Sequence, residues 1–211
     1  PIRPYAEANA ASRSLEAAAH RFDVDLTEPF MIYVGSGADR PNSLRAHAAK
    51  HGLAVVMVDK KVGGYEHDLT FGPVIDDLEM ILRHSSCTGL FFSTPCGTWT
   101  ALRYLRPGPP VLRRLASAAN QWKDEVLGIL RPDGTLPESV QRANTIAVNI
   151  ARLGDVAAAL DKDVAFESPV SRATGSQFAI VGREDHAEMF THPALEELER
   201  TRNLQRLYFD Q

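Results

Sequence analysis

The sequence predicts an α/β fold, a Rossmann-like and mostly parallel sheet with helices on both faces. Three observations carry this. Short apolar runs recur without polar alternation, the pattern of strands covered on both sides. Segments with apolar residues at helical spacing lie between them. Gly, Asp, Ser-Thr-Pro or Glu-Ser-Pro closes each run, so the turns fall at the strand ends. Strand and helix in alternation argue parallel pairing with right-handed crossovers.

Residues 5–22 are rich in Ala, Leu and Glu, and Leu15, Ala18, Ala19 and Phe22 share one helical face. The Glu28-Pro29 step ends this stretch. Residues 1–28 are therefore read as an N-terminal helical appendage, and 29–211 as the Rossmann-like domain. Phe30-Met31-Ile32-Tyr33-Val34 is the first strand, closed by Gly35-Ser36-Gly37. A helix over 43–51 starts at Asn42 or Ser43 and stops at Gly52. Residues 53–58 form the second strand and end at Asp59. Residues 74–84 form a helix with Val74, Ile75, Leu78, Ile81 and Leu82 on one side. Leu90-Phe91-Phe92 is the third strand, followed by Ser93-Thr94-Pro95-Cys96.

A helix is placed within 111–127, between two Pro/Gly-rich loops. Glu138 to Leu160 is the longest helical pattern, with a stripe of Ile146, Ile150, Leu153, Ala157 and Leu160 and a bend expected at Gly154. Val164-Ala165-Phe166 is the fourth strand, residues 194–202 a charged helix, and Leu207-Tyr208-Phe209 the start of a fifth strand. The sheet is expected to be incomplete at the C-terminus, with a further segment or a protein partner completing it.

With 211 residues, 44% hydrophobic and 24% charged, the chain is long enough and apolar enough for a real core. Disorder, collagen and coiled coil are excluded as readings of the whole. A net charge of −4 gives no bulk electrostatic signal for nucleic acid. Two cysteines make no disulfide scaffold, and a reducing compartment follows. No apolar run approaches the ~20 residues that span a bilayer, and the first residues carry no signal peptide. An intracellular protein of cytoplasm or nucleus, neither secreted nor bound to membrane, is expected. The histidines show no ligand spacing, so no metal is assigned.

In an open parallel sheet, ligands bind outside the carboxyl ends of the strands. Gly35, Ser36 and Gly37, then Asp59, then Thr94, Pro95 and Cys96, then Glu167 all fall on that edge. Glycines there let a ligand approach the backbone; a plain tight turn uses them equally well. Asp59 follows Gly37 by 22 residues, the place of an acid that holds a ribose diol, or of an exposed acid at a strand end. Asp68 either touches the base or amine of the same ligand or caps a turn. Cys96 is a candidate nucleophile, or a buried thiol. Glu167 is its proposed partner, a carboxylic acid that readies a ring nitrogen, or a surface acid. Trp99, Arg103 and Arg106, with Arg113 and Arg114 beyond, can track phosphates and stack bases, or form a solvated face over a packed Trp99. A cysteine hydrolase needs a histidine beside Cys96, and no sequence feature places one there.

Tyr33-Val34-Gly35-Ser36-Gly37, Val58-Asp59, His67-Asp68-Leu69, Ser93 through Trp99 and Phe166-Glu167-Ser168-Pro169 run in an order that resembles S-adenosylmethionine-dependent methyltransferases. The resemblance is to cytosine-5 DNA methyltransferases and their small, divergent phage and virus relatives, over roughly residues 29–211. It implies a class I methyltransferase sheet that binds S-adenosylmethionine through Gly35, Ser36, Gly37, Asp59, Asp68, Leu69, Thr94 and Pro95. It implies Cys96 attacking carbon 6 of cytosine and Glu167 at N3, with the target base out of its stack; Trp99, Arg103 and Arg106 are the residues read above as reaching nucleic acid. Thr94 stands where the family usually has Pro, and Ser168 where it has Asn. The other expectation is a methyltransferase-like module without catalysis in a larger assembly.

Overall fold

The computed structural model describes residues 14–93, 97–104, 109–118, 121, 123–168, 173 and 185–205. The chain divides into two compact units, Pro1–Thr94 with Asn149–Glu167, and Pro95–Val148 with Ser168–Gln211.

The first unit is an α/β layer built on a four-stranded, all-parallel sheet in the order β2-β1-β3-β4. Its strands are β1 (Phe30–Val34), β2 (Ala54–Val58), β3 (Cys87–Ser93) and β4 (Asp163–Glu167). Flanking helices make the arrangement Rossmann-like. β1 is central and its Phe30, Ile32 and Val34 are fully buried. Tyr33 lies opposite Phe91 in register and meets it edge to face at 5.0 Å. Phe92 lies opposite Phe166 and stacks on it at 4.7 Å. Such pairs fix register, because a one-residue slip would move each ring to the other face.

Helix α1 (Leu15–Arg21) is capped by the Ser14 hydroxyl, which accepts from the Ala17 amide. It packs against α4 (Gly72–Leu82) through buried Ala18 and Ala19. Phe22, just past α1, is buried as well. Arg21 Nε meets Asp77 Oδ2 at 3.0 Å, both side chains enclosed. Residues 1–13 of the expected first helix lie outside the described residues. Helix α2 (Leu44–Ala49) takes Ser43 as its cap, and Gly52, at φ +70°, turns the chain into β2. A single turn, α3 (Lys60–Gly63), runs into a 3-10 turn at Gly64–His67. The five apolar residues expected on one side of α4 are all fully buried, each removal from water stabilising by about 1.5–3 kcal/mol.

Helix α5 (Glu138–Ala159) runs through Gly154 without a break, and the division between the units falls within it. Its buried stripe passes through Ala147, Ile150, Ala151, Leu153 and Ala157. Ile146 is only half-buried, and Leu160 lies past the helix end, 39% exposed, so both leave the expected stripe. In the second unit the helix expected within 111–127 does not form among the described residues. Arg114 instead makes isolated antiparallel bridges to Glu125 and His186. The physical reason is tertiary: Arg113 is drawn inside by acceptors distant in sequence. Helix α6 (Pro193–Arg202) buries Leu195 and Leu198. The expected strand at 207–209 lies outside the described residues. None of the helices described is long and apolar enough to cross a membrane.

Candidate functional site

The strand order locates the site. From β1 the chain steps to β2 on one side, then crosses to β3 on the other. A crevice forms at such a reversal, outside the carboxyl ends of the two strands. β1 ends in the glycine turn. Gly35 and Gly37 have φ of +74° and +67°, a region that side chains with a Cβ rarely enter. A Cβ on Gly37 would meet nothing within 4 Å, so the space above the turn is open.

Asp59 stands at the end of β2 and joins that turn. Its Oδ2 accepts from the Gly37 amide at 2.9 Å and its Oδ1 from the Lys61 amide at 2.7 Å, capping α3. Each carboxylate oxygen has a second lone pair, so acceptors remain for a diol. The residues thus fit a ribose-bearing cofactor. A cavity of about 200 Å³ reaches Gly37 and is walled by Met57, Val62, His67, Arg45 and Arg21. His67, which the sequence marks only as the neighbour of Asp68, lines this cavity. Its Nδ1 accepts from the Asp59 amide at 3.4 Å, and Phe22 packs on the ring at 5.5 Å. Burial holds its pKa below the ordinary value.

Asp68 and Leu69 stand apart from this opening. Asp68 is fully buried: Oδ1 accepts from the Thr70 amide and hydroxyl at 3.0 and 2.9 Å, and Oδ2 meets Lys60 Nζ at 2.5 Å. Leu69 is buried and its carbonyl accepts from Asn149 Nδ2. Asp68 therefore serves a turn and an internal ion pair in this structure. Its position gives no open edge toward a cofactor.

β3 ends at Ser93; Thr94, Pro95 and Cys96 lie outside the described residues. Glu167, half-buried, is the register partner of Ser93. It thus leaves the sheet at the level where the chain enters the Thr94-Pro95-Cys96 segment. The other cysteine, Cys87, is buried, and its thiol is pushed up to about 11, the reverse of an activated nucleophile.

The second unit holds the residues after Cys96 by side chains. Arg103 Nε donates to the Gly97 carbonyl at 2.5 Å, and its Nη1 to the Pro110 carbonyl at 3.0 Å. Arg113 Nε donates to Thr98 Oγ1 at 3.2 Å, and His186 Nε2 bonds the Trp99 carbonyl at 2.8 Å. Trp99 is only 2% exposed, with the Arg113 guanidinium 3.5 Å from its ring centre and His192 at its edge. No open ring face is left for a base to stack on. Arg113, expected among surface arginines, is enclosed and also donates to the Val126 and Val140 carbonyls and to Asn144 Oδ1. A guanidinium with five donors suits such a set of acceptors. Arg114 pairs with Asp185 at 3.4 Å, and Arg106 lies outside the described residues. No group of three metal-binding side chains occurs among the described residues.

No protein-family model matches the sequence, no curated protein matches it, and no solved structure matches the fold.

Proposed function

We propose that the chain is an S-adenosylmethionine-dependent methyltransferase that acts on nucleic acid, with DNA as the substrate, at carbon 5 of cytosine. One observation carries the reading: Asp59, at the end of β2, is hydrogen-bonded to Gly37 of the open glycine turn at the end of β1. This is the place and residue type that hold a ribose-bearing cofactor in doubly wound folds. The cavity beside Gly37 is base-sized and apolar on its Met57 and Val62 side, which supports a nucleoside ligand.

Bound S-adenosylmethionine supplies an electrophilic methyl group. Gly35, Ser36 and Gly37 offer it backbone, and Asp59 accepts from its ribose hydroxyls. Cys96, as thiolate, adds to carbon 6 of the cytosine ring. Glu167 hydrogen-bonds the N3 edge and stabilises the charge that this addition pushes into the ring. Carbon 5 would thereby become the nucleophile that takes the methyl group, and loss of its proton with expulsion of the Cys96 thiolate would restore the ring. Arg103 supplies positive charge for a phosphate.

A non-catalytic, methyltransferase-like module is the second reading. It is favoured by Asp68, which is enclosed by Thr70 and Lys60.

Calorimetric titration with S-adenosylmethionine separates the two. Saturable binding is expected, weakened by Asp59→Ala by about 1–3 kcal/mol, the loss of hydrogen bonds to a charged group. Cys96→Ser should keep that binding and abolish methyl transfer to cytosine-containing DNA. Absence of binding at millimolar cofactor, or an affinity unmoved by Asp59→Ala in a folded variant, overturns the proposal.

A further inference from the structure

Asp59 has a support on its other side. The Asp59 amide donates to His67 Nδ1 at 3.4 Å. With Nδ1 accepting, the neutral ring carries its proton on Nε2. Gly63 fixes where the ring lies. A Cβ at Gly63 would fall 2.1 Å from His67 Cγ, far inside contact distance, so the imidazole occupies the space a side chain at 63 would need. Phe22 closes the other side at 5.5 Å. The Arg21 guanidinium is meanwhile tied to Asp77 of α4.

We infer that His67 is a positioning residue: held between Phe22 and Gly63, it sets the Asp59 backbone and, through it, the carboxylate that meets the Gly37 amide. The inference rests on the cofactor reading of Asp59, but concerns how the site is held in place. His67 touches no reacting atom. Its contribution is to keep Asp59 from rotating away when the cofactor is absent, so less ordering is left for binding to accomplish. Protonation of Nδ1 would set a donor against the Asp59 amide. The charged groups facing the ring are Glu66 and Asp59, which favour the imidazolium, and Arg21, which opposes it. Burial outweighs the two acids and keeps the ring neutral at pH 7.

Three substitutions at this position separate positioning from filling. His67→Asn keeps an acceptor at the place of Nδ1. His67→Gln moves it outward, to the place of Nε2. His67→Phe keeps the ring and removes the acceptor. Amide hydrogen exchange at Asp59 and Gly37, read on the full chain without cofactor, is the first measurement. Exchange is expected to rise about fivefold or more in the Phe and Gln variants, the factor for one lost hydrogen bond, and to return toward wild type in Asn. S-adenosylmethionine affinity should follow the same order at pH 8, and its decline as pH falls should be shallower in His67→Asn than in wild type. Wild-type exchange at both amides in His67→Phe overturns the inference. If that variant does not fold, equal exchange in Asn and Gln overturns it. A wild-type chain that binds no cofactor defeats the methyltransferase reading alone, because the exchange pattern still decides the role of His67.

Discussion

The pair Arg21–Asp77 offers the sharpest test of what holds α1 to the sheet unit. The Nε–Oδ2 distance is 3.0 Å, and the two side chains are 2% and 0% exposed. Asp77→Ala removes the carboxylate and leaves a guanidinium charge enclosed against α4. Breaking a buried pair from one side costs about 3–5 kcal/mol, a large part of the roughly 5–15 kcal/mol that stabilises a domain. The double variant Arg21→Met with Asp77→Leu removes both charges and fills the space. It should lie within about 1 kcal/mol of wild type, or be more stable, because neither ion then has to be desolvated. With Arg21→Met and Asp77→Leu as the two single variants, a coupling of at least about 2 kcal/mol is expected for the cycle. Urea unfolding at pH 7.5 measures it. Trp99 and Trp122 both belong to the second unit, so far-ultraviolet circular dichroism is the better probe of the first. A loss under about 1 kcal/mol for Asp77→Ala, or a double variant as unstable as the single one, would refute the reasoning.

Acid should unfold the chain partly through His192, whose pKa burial and then the Arg113 charge bring down to about 4 from 6.5. Because the folded pKa is the lower one, stability is complete above about pH 6.5 and falls as pH drops to about 4, by about 3 kcal/mol in all. His192 also caps α6 through its Nδ1, so His192→Asn keeps a capping acceptor without titrating; if its unfolding midpoint falls with pH as steeply as wild type, His192 is not responsible. Gly89→Ala would place a Cβ 2.7 Å from the Asp163 carbonyl oxygen of β4, a backbone atom that cannot turn aside. A destabilisation of about 1–3 kcal/mol in thermal or urea unfolding is expected, and an unchanged midpoint would show that the β3–β4 pairing gives way freely. The Cys87 thiol should resist iodoacetamide at pH 8 in the native chain and react on unfolding; equal rates by peptide mass spectrometry would contradict its burial.

The sheet was legible because each strand is an apolar run with turn chemistry at its end, and α4 because its five core residues keep helical spacing. The cap of α2 could be narrowed to Asn42 or Ser43 from the sequence, and the Ser43 hydroxyl is the one that accepts from the Ala46 amide. The segment 111–127 forms no helix among its described residues, because the Pro/Gly-rich loops on either side bound a segment without fixing what it becomes. What decides there is Arg113, bound by acceptors as distant as Val140 and Asn144. Local propensity does not contain that information. Placing Asp59 and the glycine turn on one edge was readable from spacing, but their direct hydrogen bond was not. His67 and Asp68 sit side by side in sequence, and only the structure shows that one lines the opening while the other is fully buried apart from it. The sequence does carry a signal for the Arg21–Asp77 pair. Asp77 falls within the stripe of Val74, Leu78 and Ile81, and an acid at an apolar position needs a buried partner.

The closeness of Gly63 and His67 also orders the routes by which this chain can change. A side chain at position 63 collides with the imidazole, whereas a smaller residue at 67 makes room for one. The two positions can therefore be exchanged in one order only, with 67 shrinking before 63 grows. In a library of paired variants, substitutions at 63 should survive almost entirely on backgrounds that have already lost the histidine. A lineage that kept His67 would remain confined to glycine at 63 for as long as it did so.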